Sequence, residues 1–386
     1  MLKPKLALIC TERNPVPPIR GGAIQTYIEG VLPDLAKSFD VTVVSVTDPS
    51  LPLVEKNNGV RYIRFPGKHV LKEYYDNLGK FIASEEWDFI EIFNRPSYVK
   101  DIAEVAPKAK ILLSLHNEML KPDRLEPQKA RECLERVFKV VTISNFIRKG
   151  VCQLYPEYQT KITPILAGVD LEVFKPCWRS SDREIARSRQ RIGRVVKRPL
   201  ILAVARLSEK KGIHVLIPAM EQVLKKYPTA QLLIVGSKWY GSNESDPYVT
   251  QVHNLAKPYG EAISFTGYVP YNRVADYFRL ADIFVCASQW EEPLARIHYE
   301  AMAAGLPIVT TDRGGNLEAI VEGKNCLVAR PYDNPLAFAR EISDLLNSPE
   351  KRQLMGKSNR LLAEQNYTWK RVAQELMKVF DFGNAT

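Results

Sequence analysis

The chain has no apolar run long enough to form a membrane-spanning helix. Its residues are 45% hydrophobic and 25% charged, which is typical of a soluble globular protein. The first apolar stretch gives way to Thr11, Glu12 and Arg13, so it is too short for a secretory signal. We therefore expect a cytoplasmic protein.

Motifs that would form disulfide bonds or hold a metal are also missing. The sequence contains neither a Cys-x2-Cys pair nor an Asp-x-Asp motif. Free thiols in a reducing compartment are expected for the six cysteines, which are Cys10, Cys133, Cys152, Cys177, Cys286 and Cys326. We expect no metal site and no bound cofactor.

A Gly-x-Gly-x-x-Gly fingerprint is absent where a dinucleotide dehydrogenase would carry one. Only Gly21 and Gly22 stand between the first predicted strand and the first predicted helix. Two glycines fit a flexible turn as well as a close approach of the backbone to a ligand. This start of the chain therefore argues against dehydrogenase chemistry.

Acidic residues are fewer than basic ones, 44 against 54, which gives a net charge of +10. The excess is concentrated in residues 179–198, where eight basic residues face Asp182 and Glu184, a local charge of 8 − 2 = +6. Arg183, Arg187, Arg191 and Arg194 recur every three or four positions, so a helix would carry them on one face. We predict a solvated surface helix and no nucleic-acid binding. Docking on an anionic membrane or an anionic acceptor is the alternative.

Apolar runs alternate with helical patterns along the first half of the chain. Strands are predicted at Leu6–Cys10, Val41–Val46, Val60–Arg64, Phe89–Phe93, Ile111–Leu115 and Val140–Ile143. Helices are predicted at Ala23–Lys37, Leu71–Ser84, Tyr98–Glu104 and Asn145–Leu154. This alternation predicts a parallel sheet with helices on both faces.

The alternation restarts after an interruption between Gly168 and Pro199. Further strands are predicted at Leu200–Val204, Gln231–Val235, Ala262–Phe265, Ile283–Cys286 and Ile308–Thr310. The chain is also long for a single core, so two similar α/β domains are expected. Ligands of such sheets lie beyond the carboxyl ends of the strands, and we expect the site in a cleft between the two halves.

The segment Ser288–Gly305 places two carboxylates, Glu292 and Glu300, around a predicted helix start near Leu294. The free backbone NH groups at a helix start favour a phosphate. Carboxylates repel phosphate but accept hydrogen bonds from sugar or ribose hydroxyls. This combination indicates a ligand that carries both phosphate and sugar. His298 lies between the glutamates, and its pattern fits either a buried or a ligand-facing side chain.

Other candidate residues follow predicted strands. Arg206 and Lys211 come after Leu200–Val204, where two positive charges could bind a diphosphate or simply face solvent. His116 ends the strand Ile111–Leu115, which fits a functional group as well as a packed side chain.

The Glu292–Glu300 segment resembles the Glu-x7-Glu signature of retaining glycosyltransferases of family 4. Further motifs of that resemblance are Arg20–Ala23, Gly168–Asp170, Ala205–Gly212, Phe265–Pro270 and Gly314–Glu318. The amino-acid sequences of Leu115–Glu118 and of the residues around His298 are most similar to those of glycosyltransferases described as spore coat proteins.

The resemblance implies a GT-B fold of two facing Rossmann-like domains with an interdomain cleft. It implies an acceptor-side domain at residues 1–170, a donor-side domain at 171–365 and a crossover helix at 366–386 that returns to the first domain. The resemblance further implies that a sugar is transferred, without a metal, from a nucleoside diphosphate sugar to a hydroxyl acceptor. A UDP-sugar is the favoured donor.

Roles for single residues are also implied by the resemblance. Glu292 would hold sugar hydroxyls and Glu300 the ribose, while Arg206 and Lys211 neutralise the leaving diphosphate. Backbone groups are implied for Leu294, Ala295 and Arg296 at the phosphates, Tyr268 and Val269 at the base, and Gly22 at the phosphates or acceptor. His116, together with Glu292, is implied to act at the reacting sugar, and Asn117, Gly314 and Gly315 lie near the sugar or acceptor.

The family pattern continues from the first glutamate with Pro-Phe-Gly or Gly-Phe-Gly, whereas this chain has Pro293-Leu294-Ala295. Alanine for glycine narrows the backbone choices of that loop. The expected function is sugar transfer to a cell-envelope or spore-coat glycoconjugate. The alternatives are a glycosidase, a nucleotide-sugar epimerase and a coat protein without activity, and the location alternatives are a peripheral membrane or spore-coat protein.

Overall fold

The computed structural model describes residues 3–67, 70–189, 198–238 and 246–380. The chain divides into two compact units, the first formed by Met1–Gly168 with Trp369–Thr386 and the second by Val169–Thr368. From the sequence, the changes of unit are expected after residues 170 and 365. In the structure they fall after Gly168 and Thr368.

The first unit contains an eight-stranded sheet. Its strands are β1 (Lys5–Ile9), β2 (Asp40–Val46), β3 (Val54–Asn57), β4 (Val60–Phe65), β5 (Phe89–Phe93), β6 (Lys110–Leu115), β7 (Lys139–Thr142) and β8 (Ile162–Pro164). Their order is β3-β4-β2-β1-β5-β6-β7-β8, and β3 pairs antiparallel with β4 while the other pairs are parallel. The central strand β1 is buried along Leu6–Ile9 because both faces of the sheet are covered.

Within residues 3–67 and 70–168, the α-helices of this unit are α1 (Ala23–Ser38), α2 (Leu71–Ala83), α3 (Val99–Val105), α4 (Pro127–Arg136) and α5 (Asn145–Leu154). Helix α1 buries Tyr27, Ile28, Val31 and Leu35, the three-and-four spacing of an amphipathic helix. Helix α5 starts where the Ser144 hydroxyl accepts a hydrogen bond from the backbone NH of Ile147 at 3.2 Å. The predicted ends of α1, α2 and α3 shift by one residue, and those of α5 are unchanged.

The second unit contains a six-stranded parallel sheet. Its strands are β9 (Leu200–Val204), β10 (Gln231–Val235), β11 (Ile263–Phe265), β12 (Ile283–Val285), β13 (Ile308–Thr310) and β14 (Cys326–Val328), in the order β11-β10-β9-β12-β13-β14. The helices are α6 (Ser180–Arg189), α7 (Ile213–Lys226), α8 (Pro247–Ala256), α9 (Tyr271–Phe278), α10 (Arg296–Ala303), α11 (Pro335–Asn347) and α12 (Pro349–Asn366). Strands β9 and β12 lie at the centre, so the loops after them leave the middle of the sheet.

The last helix, α13 (Trp369–Val379), belongs to the first unit. The Trp369 ring packs edge-on against Tyr27 at a centroid distance of 5.6 Å. Phe380 packs against Phe39 and Phe89 at 5.4 and 5.1 Å. The chain therefore leaves the first unit after Gly168 and returns to it at Trp369, where α13 and Phe380 pack on the core of the first unit.

These two sheets confirm the predicted α/β class with two Rossmann-like domains. Strands β3, β8 and β14 are additions that the apolar pattern does not show, because each is short and lies at an edge of its sheet. Across the described ranges, no helix is both long and apolar enough to cross a membrane.

The prediction of a solvated arginine face at residues 179–198 is wrong for Arg187. In α6 its guanidinium is buried and bonds the carboxylate of Asp282 at 2.7 Å and the carbonyl oxygen of Leu280 at 2.6 and 2.9 Å. Arg183 also lies 3.6 Å from Asp282. The spacing gave no sign of this, because Asp282 is distant in sequence. Arg191 and Arg194 lie outside the described residues, and membrane docking of this stretch stays a prediction.

Candidate active site

Glu292 lies on the loop that follows strand β12 at the carboxyl edge of the second sheet. Its side chain is buried and accepts a hydrogen bond from the Ser288 hydroxyl at 2.6 Å. The ammonium group of Lys211 forms an ion pair with the same carboxylate oxygen. Burial raises the pKa of Glu292. The charge of Lys211 and the hydrogen bonds from Lys211 and Ser288 lower the pKa by more than burial raises it, so the net shift is downward. Glu292 is therefore an ionised, oriented acceptor.

Lys211 comes from the loop after the neighbouring strand β9. The loop ends in a 3-10 turn, Glu209–Lys211, and at Gly212 the backbone has a φ of 70°. A Cβ atom at Gly212 would lie 1.9 Å from the carbonyl oxygen of Ala287, so glycine is required for the two loops to meet. The backbone NH of Gln289 donates to the carbonyl of Lys210 at 2.9 Å. The loops after β9 and β12 thus form one structure.

Arg206 lies earlier on the β9 loop and is exposed. The structure thus brings Lys211 to Glu292 and leaves the Arg206 side chain at the surface of the same loop. Trp290, which the sequence pattern did not single out, lies under two lysines. Its ring centroid is 4.5 Å from the ammonium of Lys210 and 5.8 Å from that of Lys211. The indole therefore contributes a cation–π contact that holds Lys211 over the loop.

Helix α10 starts at Arg296, two residues after the predicted start at Leu294, because Ala295 is the N-cap with φ −80° and ψ 90°. The half-buried Leu294 and buried Ala295 therefore belong to the loop. One turn into the helix, Glu300 is buried and accepts a hydrogen bond from the Arg296 guanidinium at 2.6 Å. Burial raises the pKa of Glu300, opposed by Arg296. Arg296 also contacts Tyr271, with 3.2 Å to the hydroxyl.

His298 is a buried residue of α10. Of the two possibilities that its sequence pattern left open, buried or ligand-facing, the structure shows the buried one. Its Nε2 atom lies 2.9 Å from the hydroxyl of Thr310 on β13. Burial lowers the pKa of His298 to about 4. The side chain is therefore a neutral packing group that anchors the helix between the two glutamates.

The glycine turn Gly314–Gly315 lies directly on the Glu292 loop. The backbone NH of Gly315 donates to the carbonyl oxygen of Glu292 at 2.7 Å. Gly314 has a φ of 57°, and a Cβ atom there would lie 2.3 Å from the same oxygen. The structure thus joins two motifs that are far apart in sequence.

Tyr268 and Val269 follow strand β11, and both are half-buried. The preceding residue, Gly267, accepts a hydrogen bond at 3.2 Å from the backbone NH of Gly236, which follows β10. They therefore belong to the same carboxyl edge as the Glu292 loop, on the strands at the other side of β9.

His116 and Gly22 belong to the first unit. His116 follows β6, and its ring packs edge-on against Tyr27 at 4.8 Å. The amide oxygen of Asn94, which follows β5 with a φ of 53°, accepts a hydrogen bond from the backbone NH of His116 at 2.7 Å. Gly22 is the N-cap residue of α1, the helix that supplies Tyr27. Asn117 is exposed beside His116.

A second polar group of the first unit was missed from the sequence. Glu12, two residues beyond Cys10 after β1, binds the guanidinium of Arg95, with 2.6 Å between Arg95 Nε and the carboxylate. The hydroxyl of Tyr98 donates to the same carboxylate at 3.1 Å. The chain positions of Glu12 and Arg95 gave no signal, since only the neighbouring placement of β1 and β5 brings them together.

The fold of two Rossmann-like units is the fold of the GT-B glycosyltransferases. A model of the family "Glycosyl transferases group 1" matches residues 184–362. The chain is also 40% identical to "Spore coat protein SA" of Bacillus subtilis (strain 168) over 98% of this chain and 99% of the relative. The chain therefore belongs to the group 1 glycosyltransferase family.

More distant relatives carry functional names. One is the "GDP-mannose-dependent alpha-(1-6)-phosphatidylinositol monomannoside mannosyltransferase" of Mycolicibacterium smegmatis, 27% identical over 92% of this chain and 94% of the relative. Among solved structures, Anabaena Alr3699/HepE in complex with UDP and glucose has a TM-score of 0.77 at 17% identity, covering 98% of this chain and 99% of that one. This likeness supports the fold.

Proposed function

We propose that the protein transfers a sugar from a nucleoside diphosphate sugar to a hydroxyl acceptor, without a metal and with the anomeric configuration retained. The ion pair between Glu292 and Lys211, beside the start of α10, carries this proposal. It puts an acceptor for sugar hydroxyls, a cation for phosphate and a helix N-terminus in one place.

The chemistry follows from where charge develops. As the bond between sugar and diphosphate breaks, negative charge grows on the diphosphate. Lys211, Arg206 and the NH groups around Leu294–Arg296 would stabilise that charge, a contribution of roughly 3 kcal/mol for a well-placed donor. Glu292 would hold sugar hydroxyls, and Glu300 the ribose. The backbone at Tyr268 and Val269 is proposed for the base.

Residues of the first unit complete the proposal. His116 is proposed to contact the reacting sugar, with Asn117 beside it. Gly22 would let the backbone approach a ligand. In the second unit, Gly314 and Gly315 hold the Glu292 loop next to the sugar.

A UDP-sugar is the favoured donor, supported by the UDP-glucose complex of the Anabaena structure, although the mycobacterial relative is named for GDP-mannose. The acceptor is proposed to be a cell-envelope or spore-coat glycoconjugate, on the strength of the name of the Bacillus relative. Location at a spore coat rests on the same name.

A thermal-shift panel of UDP-glucose, UDP-N-acetylglucosamine and GDP-mannose tests the donor. A donor present at about 100 times its Kd should stabilise the protein by about 2.7 kcal/mol. Release of the nucleoside diphosphate on adding acceptor, with an axial or equatorial product bond assigned by NMR, tests transfer and retention. Acceptor-independent conversion of the donor would instead identify an epimerase, and absence of binding to any donor would support a coat protein without activity.

A further inference from the structure

The carboxylate next to Glu292 has no part in the proposed chemistry, yet it is held more firmly than an ordinary surface residue. One oxygen of Glu291 lies 2.7 Å from the guanidinium of Arg313. The other accepts a hydrogen bond from the backbone NH of Gly314 at 2.6 Å. We propose that these three residues, Glu291, Arg313 and Gly314, form a clasp that positions Glu292 for sugar recognition.

The clasp acts on Glu292 through backbone contacts. Gly314 donates to the Glu291 side chain, and the next residue, Gly315, donates to the carbonyl oxygen of Glu292. The turn lies so close that a Cβ atom at Gly314 would be 2.6 Å from the backbone nitrogen of Glu292. A shift of this turn therefore moves the backbone of Glu292, because no free space separates the two segments.

A third link joins the same segments at Ser288. The Thr311 hydroxyl donates to the carbonyl oxygen of Ser288 at 2.9 Å, and the Ser288 hydroxyl in turn donates to Glu292. The Glu292 loop is thus fixed at three points, Ser288, Glu291 and Glu292, to the segment that runs from Thr311 to Gly315.

Arg313 is itself held in place. Its guanidinium carbon lies 4.3 Å from the centroid of the Tyr332 ring. The carbonyl oxygen of Tyr332 accepts a hydrogen bond from the Gln289 side chain at 2.9 Å. Arg313 of the clasp and Gln289 of the Glu292 loop therefore both contact Tyr332.

Magnitudes separate a positioning role from a role in overall stability. The Glu291 side chain is 45% exposed, and ion pairs that are this exposed add little to the stability of a protein. Small displacements of a catalytic loop nevertheless lower turnover strongly. Breaking the clasp should therefore change catalysis far more than unfolding.

The inference rests on the proposed function, in which Glu292 binds the donor sugar. The test uses the full chain with Glu291→Gln, Arg313→Gln and the double variant, probed with UDP-glucose and with UDP. Glu291→Gln keeps an acceptor for Gly314 and removes only the charge pair. Glu221→Gln is the matched control, because it breaks an exposed ion pair with Lys225 at 2.9 Å on α7.

We expect kcat with UDP-glucose to fall at least tenfold in either single variant, with the KM changed less than threefold and the affinity for UDP unchanged. The double variant should be no slower than the worse single variant, because both changes break one interaction. Wild-type kcat in either single variant, or effects that multiply in the double variant, would overturn the proposal.

A second readout does not depend on the donor. With 5-fluorotryptophan incorporated, the Trp290 resonance, assigned with Trp290→Phe, reports the loop directly. It should move in both single variants and stay in place in Glu221→Gln; an unmoved resonance in Glu291→Gln rejects the clasp. If the wild-type protein releases no UDP from UDP-glucose, the proposed donor is wrong, while this spectrum still decides the clasp.

Discussion

A buried carboxylate stays ionised only when nearby cations and hydrogen-bond donors replace the water that it has lost. Glu292 has both in Lys211 and Ser288, and its pKa is lowered in spite of burial. The same lysine is the cation proposed for the diphosphate. In this proposal one side chain has two tasks, keeping Glu292 charged and neutralising the leaving group.

Removing that cation should affect both tasks. We expect Lys211→Ala to lower kcat with UDP-glucose by roughly 10²–10³-fold, the usual effect of losing one donor to a developing charge. The acid limb of the pH–rate profile should also move to higher pH, because burial then raises the pKa of Glu292 unopposed by Lys211. Steady-state kinetics over a pH series measure both effects.

Lys225→Ala serves as the control, since Lys225 forms an exposed ion pair with Glu221 on α7. It should leave both kcat and the pH profile unchanged. A Lys211→Ala enzyme with wild-type turnover would remove Lys211 from the mechanism.

Glu91 shows the opposite electrostatic case in the first unit. It lies in the middle of β5, is fully buried and accepts a hydrogen bond from the Ser114 hydroxyl. Burial raises its pKa from 4.5 to about 7, opposed by that hydrogen bond. The folded protein therefore binds this proton more tightly than the unfolded chain does.

The stability from Glu91 should be complete below about pH 4.5 and be lost as the pH rises through 7. One pKa unit corresponds to about 1.4 kcal/mol, so the loss amounts to roughly 3 kcal/mol. Glu91→Gln should remove this loss and make the protein more stable than wild type near pH 8. Urea unfolding at several pH values measures the difference, with the exposed Glu104→Gln as a control that keeps the wild-type slope.

Helix α13 illustrates packing at the scale of an element. Its first residue, Trp369, lies on α1 where Gly30 leaves room for the ring, and a Cβ atom at Gly30 would be 2.3 Å from the indole. Glycine is unfavourable inside a helix by about 1 kcal/mol relative to alanine. The contact with Trp369 explains why α1 nevertheless carries a glycine at this point.

Two matched glycine substitutions test this contact. Gly30→Ala should destabilise the first unit by about 1–3 kcal/mol, because it overpacks the contact with Trp369. Gly79→Ala, in α2 with no atom within 4 Å of the new Cβ, should stabilise it by about 0.5–1 kcal/mol. Chemical denaturation of both variants gives the comparison, and equal stabilisation by the two would refute the packing role of Gly30.

Elements with buried apolar runs could be predicted from the sequence, and β5, β9, β10 and β13 have the predicted bounds. The edge strand β3 could not, because three of its four residues are exposed and their pattern is that of a loop. In the site, the pair of glutamates was recognisable as a motif. The contacts of Glu291 with Arg313 and of Glu12 with Arg95 depend on strand order, which spacing along the chain does not contain.

At the scale of the whole molecule, each unit has its own sheet, mixed in the first unit and parallel in the second, and its own buried core. The proteins of such a fold need not unfold in a single step. The residues proposed for the nucleotide belong mainly to the second unit, whereas the α13 contact belongs to the first. Binding of a nucleotide should therefore stabilise the second unit, whereas a substitution at the α13 contact should destabilise the first unit.

We predict that UDP raises the temperature of one calorimetric transition and that Gly30→Ala lowers another. Hydrogen exchange followed by mass spectrometry assigns them, with UDP protecting residues 205–212 and 288–300 most strongly. A single transition that both changes shift together would show that the units unfold as one body.

The path of the chain at the two changes of unit has a further consequence. Val169 donates a backbone hydrogen bond to the carbonyl of Tyr367 at 2.8 Å, and an ideal Cβ on Gly168 would lie 2.9 Å from the backbone nitrogen of Trp369. The two places where the chain changes unit, after Gly168 and after Thr368, are therefore neighbours, and the second unit has the topology of a domain inserted into the first. Such an arrangement would let recombination exchange the second unit whole, while both chain segments of the first unit remain unchanged.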